Sequence, residues 1–411
     1  MQSFDVAIIG GGIVGLAIAH RLLERQSSLG VVVVEKEHDV AAHQSSHNSG
    51  VLHSGVYYTP GSLKATCCRR GNLLMQDFCR DNDVPLRMSG KLIVAVSQHE
   101  IPRLRAIAER GHANGVRAER IGPERMREIE PAVRGLQALH VLDAGVLDYA
   151  AVCRALERRI IERGGLVRTG TAVHAIRADD HVTLETTTGD VRASHMINAA
   201  GLHSDRILRM SGGRPSARII PFRGEFHRLS PDARRLCATM IYPVPDPALP
   251  FLGVHLTRTI TGDVECGPNA LFSFAREGYD RGAFDLRDAA ASLGRLRAWR
   301  LFARMWRTGL GELHRSRSMP AMTKALRQYV PEIRAADLSP ARSGVRAQAV
   351  DRRGRLIDDF LLAETDRAVH LCNAPSPAAT ASLAIADHVI DIFEKRTSLA
   401  ALTGARSTPA G

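Results

Sequence analysis

The residues whose types and spacing first suggest chemistry are Gly10, Gly12 and Gly15, in the run Gly10-Gly11-Gly12-Ile13-Val14-Gly15. Gly10 suits a tight turn, Gly12 lets a pyrophosphate approach the backbone without meeting a Cβ, and Gly15 lets a helix and a strand pack closely. Glu35 stands twenty residues after Gly15, where an acidic side chain accepts hydrogen bonds from an adenosine ribose, and Lys36 follows it. The implied chemistry is dinucleotide binding. Its diphosphate would face the free N–H groups of a helix beginning at Ile13 and Val14.

A glycine box alone is weak evidence, and the flanking elements give it force. Residues 4–9 form an apolar run of strand length, residues 13–25 have helical periodicity without proline, and residues 31–34 read as a second buried parallel strand. The unit is βαβ. Residues 41–50 then form a polar loop in which Ser45, Ser46, His47, Asn48 and Ser49 offer donors to a pyrophosphate, the alternative being a solvated connection. Residues 51–61 are more apolar and are expected to pass beneath the cofactor ring.

At 411 residues the chain exceeds what one hydrophobic core usually supports, so two domains are expected. A net charge of +12 raises the question of nucleic acid or an anionic membrane as partner. The arginines are spread along the whole chain, only five lysines occur, and no basic patch is interleaved with aromatics; nucleic acid is not expected. Seven cysteines, odd in number and without a CxxC pair, argue against a disulfide framework or a metal site and for a reducing compartment. Residues 1–20 lack a basic segment before the apolar stretch, and no apolar run approaches the roughly 20 residues of a membrane span. The expectation is a cytoplasmic protein, with at most peripheral contact with the inner face of a membrane.

Helices are expected at 63–81, 101–114, 124–129, 149–163 and 378–393, and strands at 91–96, 171–177, 182–187, 191–193, 341–351, 356–360 and 369–372. Residues 195–201 read as a strand ending in small residues, which places Ala200 and Gly201 where backbone touches a nucleotide, with Val173 on a neighbouring strand. Residues 219–274 alternate strands with turns, as in an antiparallel sheet. Residues 284–329 are helical and basic, with Trp299, Phe302, Met305 and Trp306 as a core stripe. Ser376-Pro377-Ala378-Ala379-Thr380 opens the last helix, whose free N–H groups suit the negative charge of a reduced cofactor ring; an ordinary helix cap is the alternative.

In this order the pieces resemble a flavoprotein of the D-amino-acid oxidase superfamily and, within it, the L-2-hydroxyglutarate oxidase/dehydrogenase family. The resemblance spans nearly the whole chain. It rests on Ser45-Ser46-His47-Asn48-Ser49-Gly50-Val51-Leu52-His53-Ser54-Gly55-Val56-Tyr57-Tyr58, Pro221-Phe222-Arg223-Gly224-Glu225, Tyr242-Pro243-Val244-Pro245-Asp246-Pro247 and Leu249-Pro250-Phe251-Leu252-Gly253-Val254-His255. Gly267-Pro268-Asn269-Ala270, Arg276-Glu277-Gly278-Tyr279, Gly344-Val345-Arg346-Ala347-Gln348, Asp358-Asp359-Phe360 and the run from Asn373 to Thr380 complete it. Two positions depart from the family pattern: Cys67 replaces an aliphatic residue, and Ala275 replaces a lysine. The second removes a cation and puts recognition of a distal carboxylate in question.

The resemblance implies an α/β fold in which a discontinuous Rossmann-like FAD domain (1–85, 146–214 and 336–400) is interrupted by a sheet-based α+β substrate domain (86–145 and 215–335), with a flexible tail at 401–411. The sequence holds no second glycine box for a nicotinamide cofactor, so FAD is expected to be reduced directly by substrate. The implied reaction is oxidation of L-2-hydroxyglutarate to 2-oxoglutarate, with electrons passing to a quinone or oxygen; oxidation of another 2-hydroxy acid or of an amine or amino acid is the alternative. An imidazole suits removal of the hydroxyl proton at neutral pH, and His53 and His255 are the candidates. Arg346 is expected to clamp the α-carboxylate, with Arg223 and Arg276 as weaker candidates for the distal carboxylate and Tyr57 and Tyr242 as hydrogen-bond donors.

Overall fold

The computed structural model describes residues 3–246, 253–294 and 296–397. At its centre the strand Ser3–Ile9 lies parallel to Val31–Val34 on one side and Val191–Asn198 on the other. Leu166–Arg168 extends the sheet beyond Val31–Val34. Ala368–Asn373 pairs in parallel with one half of Val191–Asn198, and the hairpin Val173–Ala178/Val182–Thr186 pairs with the other half. Both faces of the sheet are covered. Val6 and Ile8 pack with the helices Ile13–Arg25, Tyr149–Glu162 and Ala378–Arg396, whereas Ala7 and Ile9 point the opposite way into a separate cluster, which Phe4 at the strand's start also joins. Double coverage is why the four valines at 31–34 need no polar alternation.

A second sheet is built on Ala217–Leu229, which pairs antiparallel with Leu338–Asp351 from Ala217↔Asp351 to Leu229↔Leu338. It continues through Val264–Gly267, His255–Arg258, Met240–Pro243, Lys91–Ala95, Gln137–Val141 and Ala118–Ile121. The chain crosses between the sheets near 86, 146 and 215. The fourth expected crossing, at 336, is corrected: Leu338–Asp351 belongs to the second sheet, and the return comes after it. Its apolar pattern suits either sheet, and only the pairing with a strand far upstream decides.

Residues 356–360 are not a strand, apart from an isolated bridge between Leu356 and Val350. The Asn373 amide donates to the carbonyls of Ile357 (3.1 Å) and Asp359 (2.9 Å), taking acceptors that a ladder would use; the strand is Leu361–Thr365. The stretch 284–329 contains the helices Leu286–Leu293, Leu296–Arg317 and Met319–Leu326. Phe302 and Met305 pack against Ile220, Phe222 and Leu301, but Trp299 and Trp306 are 58% and 55% exposed. The expected core stripe is thus half right, because only one side of this helix meets the sheet. All seven cysteines are free and buried. The expected tail at 401–411 and motif residues 247–252 lie outside the described residues.

Candidate active site

A cleft of about 1190 Å³ opens where the parallel strands end and the second sheet crosses over them. Ligands bind at this end of a doubly wound sheet, and the volume exceeds the roughly 300–1,000 Å³ of ordinary small-ligand clefts. Gly10 has φ +114°, and a Cβ there would stand 2.6 Å from the Ala199 carbonyl oxygen. A Cβ on Gly15 would collide with the Gly10 carbonyl, so helix and strand meet as the glycine spacing requires. At Gly12 a Cβ would meet only Ser45 Oγ, leaving its other side open to the cleft. Ser45 Oγ accepts the Ile13 N–H at 2.9 Å, and Val14 also lines the cleft. Glu35 accepts the Gly11 and Glu37 N–H groups at 2.7 and 2.9 Å, which fixes its carboxylate at the strand end.

Lys36 also lines this end, its ammonium bonded to Glu37 and, at 2.8 Å, to Glu277. Glu37, His43 and Glu277 have metal-like spacing, but Lys36 Nζ bonds all three of them. His47, Asn48, Ser49, Val173, Ala200 and Gly201 line the cleft. Ser46 does not: its hydroxyl donates to the His43 carbonyl and its own carbonyl accepts from Arg342. Ser376, Pro377, Ala378 and Ala379 complete the wall, where the helix Ala378–Arg396 starts without a side-chain cap. Thr380 is turned into the core instead, accepting the His53 N–H at 3.0 Å and lying 2.7 Å from the Tyr149 hydroxyl. Open backbone at Gly12 and two helix N-termini without side-chain caps of their own fit the diphosphate and ring of FAD.

The other half of the cleft is lined by His53, Tyr57, Tyr242, His255 and Arg346 together. His255 stacks on Tyr242 with ring centres 3.9 Å apart, and its Nδ1 lies 2.9 Å from the Gly253 carbonyl. A carbonyl only accepts, so Nδ1 carries the proton and Nε2 keeps its lone pair. Burial pulls the His255 imidazole down to about 4, and burial with the nearby Lys91 and His255 pulls His53 to about 3. Both rings are neutral at pH 7. Burial lowers Arg346, with Glu312 and Tyr242 acting against it, and a guanidinium stays charged through such a change. The Tyr57 hydroxyl is buried without a hydrogen-bond partner among the described residues.

Two arginines expected at the substrate are committed elsewhere. Arg276, 2% exposed, bonds Asp205 Oδ1 at 2.6 Å and the Leu202 and Ile219 carbonyls, while Arg223 bonds Glu225 at 3.1 Å and the Asp280 carbonyl. Neither lines the cleft. Lys91, which sequence reasoning passed over, stands directly behind Tyr57 and Tyr242. Its signal was available: one of five lysines, opening an otherwise apolar strand.

Residues 5–392 match the family model described as FAD dependent oxidoreductase. The chain is 41% identical to an L-2-hydroxyglutarate dehydrogenase of Indibacter alkaliphilus, over 96% of this chain and all of that one. It is 42% identical to that of Escherichia coli K12 (94% and 92% covered) and 41% identical to the mitochondrial one of Homo sapiens (97% and 90%). Its fold is similar to FAD-bound L-alpha-glycerophosphate oxidase from Mycoplasma pneumoniae, with TM-score 0.78, 23% identity, and 96% and 95% of the chains covered. Glycine oxidase from Geobacillus kaustophilus follows, with TM-score 0.71, 19% identity, and 97% and 96% covered. With its glycine cradle, FAD-sized cleft and near full-length match to these relatives, the chain belongs to the FAD-dependent oxidoreductases of the D-amino-acid oxidase superfamily and, within them, to the L-2-hydroxyglutarate dehydrogenase family.

Proposed function

We infer that the protein oxidises L-2-hydroxyglutarate to 2-oxoglutarate. The carrying observation is that Arg346 and two neutral imidazoles meet in one cleft beside the dinucleotide cradle. When bound, FAD supplies the two-electron acceptor for the hydride leaving Cα. Arg346 clamps the α-carboxylate through two parallel hydrogen bonds, and the Tyr57 hydroxyl donates to the distal carboxylate. His53 takes the hydroxyl proton, while His255, held by Gly253, completes the wall. A base near 3 in the free site becomes more basic when a dianion is buried beside it, which brings it toward the working pH. Anaerobic mixing with L-2-hydroxyglutarate should bleach the oxidised flavin band faster than L-lactate, glycine or D-alanine. Equal rates with L-lactate would remove the substrate assignment and leave the flavin reading intact.

A quinone is the proposed electron acceptor, reached through peripheral membrane contact. Leu296, Trp299, Trp306 and Leu310 are 55–63% exposed and recur at helical spacing on one side of Leu296–Arg317, with exposed Arg300, Arg304 and Arg307 beside them. Tryptophan and leucine flanked by arginine suit the headgroup layer of an anionic bilayer. No helix among the described residues is long and apolar enough to cross a membrane. Cosedimentation with vesicles containing anionic lipid, abolished in a Trp299→Ser/Trp306→Ser variant, is the expected result. Rapid turnover with oxygen alone, unchanged by added quinone, would refute the quinone assignment.

A further inference from the structure

Lys91 opens the strand Lys91–Ala95, is 1% exposed, and makes no ion pair among the described residues. Its Nζ lies 4.5 Å from the centre of the Tyr57 ring and 4.8 Å from that of Tyr242. Tyr57 follows the short strand Val51–Leu52, which pairs antiparallel with Gly145–Leu147 in a third, three-stranded sheet, whereas Tyr242 lies on Met240–Pro243 of the second, opposite Ile93, and carries the stacked His255 ring. A buried ammonium without a carboxylate is costly, and two aromatic faces offset part of that cost. Both tyrosines line the substrate half of the cleft.

We propose that Lys91 is a positioning residue of the oxidation: one ammonium holds the Tyr57 and Tyr242 rings together where the chain's separate sheets meet, and sets a positive charge behind the wall that receives a dianionic substrate. This rests on the assignment of the cleft to L-2-hydroxyglutarate. Burial brings Lys91 down to about 7. Around it, His53 and His255 titrate near 3 and 4, Cys68 is pushed up to about 12, and Tyr57, Tyr58 and Tyr242 are pushed up by burial. Arg346 remains charged, and Lys64 is paired with Asp358 at 2.8 Å. In the free site, Lys91 alone of these groups changes charge between about pH 6 and 9. A bound dianion favours the ammonium, so binding takes up a proton. Affinity is then highest below the free-site value of about 7 and falls as pH rises through it, by up to about tenfold per pH unit.

The test is anaerobic stopped-flow reduction of the FAD-loaded enzyme by L-2-hydroxyglutarate from pH 6 to 9, separating the apparent Kd from the limiting rate. In the wild type Kd should climb above about pH 7 while the limiting rate changes less. Lys91→Met should bind about tenfold more weakly at pH 6.5 and show a flat Kd, and Lys91→Arg should keep low-pH affinity but lose the pH dependence. A Lys91→Met enzyme that retains the wild-type rise overturns the proposal. Should that variant fail to hold flavin, the wild-type profile decides, and a Kd flat from pH 6 to 9 overturns it. Failure of the substrate assignment is separately visible, as a wild-type flavin that L-2-hydroxyglutarate does not reduce.

Discussion

Around the dinucleotide the cleft wall is set by main chain at Gly10, Gly12 and the uncapped N-terminus of Ala378–Arg396, beside the loop at His47–Ser49. Where the acid is proposed to bind, the cleft is walled by side chains, with His53, Tyr57, Tyr242, His255 and Arg346 arriving from positions nearly three hundred residues apart. A main-chain site tolerates many side-chain changes but no added Cβ at its contact points. A side-chain site tolerates backbone drift elsewhere but no change of donor. Each half should therefore fail in its own way. Gly15→Val should have the largest effect, because its side chain has to occupy the space of the Gly10 carbonyl. The expected product is insoluble or colourless protein, measured as flavin absorbance per polypeptide. A yellow, active Gly15→Val enzyme would show that this packing is not the constraint.

His53→Ala should slow flavin reduction by about 10²–10⁴ with FAD content unchanged, since positioned proton transfer commonly contributes that much. If His255→Ala suffers the loss instead, the two imidazoles exchange roles and the comparison between halves still holds. A loss of FAD in both variants would break it. Arg346→Lys comes next. A point ammonium cannot reproduce a bidentate pair, and losing one charged hydrogen bond costs about 1.5–3 kcal/mol, or roughly 10–150-fold in Kd. The loss should be similar for L-2-hydroxyglutarate and L-lactate, because both present the α-carboxylate.

The contrast also explains what could be read in advance. The dinucleotide half was legible because its determinants are local: a strand, three glycines, a helix and Glu35 within 35 residues, each fixed by backbone geometry. Helix bounds were legible for the same reason, with 63–81 matching Leu63–Asp81. The substrate half was legible only through the family resemblance. Arg276 stood as a weaker candidate for the distal carboxylate until Asp205, brought close by the fold, claimed it. Membership of Leu338–Asp351 in the second sheet depended on its pairing with Ala217–Leu229, which no periodicity reveals. Trp299 and Trp306 read as core because a helical stripe does not say which side meets the protein.

The smallest effect tests where one half ends and the other begins. Tyr149, 3% exposed, donates to the Val51 carbonyl at 3.0 Å and lies 2.7 Å from Thr380 Oγ1, which in turn accepts the His53 N–H. The network ties the segment carrying His53 to the first turn of the last helix, yet no atom of it is assigned to the reaction. Tyr149→Phe keeps the ring in the core and removes only the hydroxyl. The loss should be about 1 kcal/mol, near the usual net value of one buried hydrogen bond, because Thr380 still donates to Val51 and accepts from His53. For a chain of this size that is a fall in Tm of about 1–2 °C, with the flavin reduction rate within about twofold of wild type. A tenfold slower rate at unchanged FAD content would mean that the hydroxyl sets the placement of His53 itself, and the substrate half would then extend through Tyr149 into the core of the first sheet.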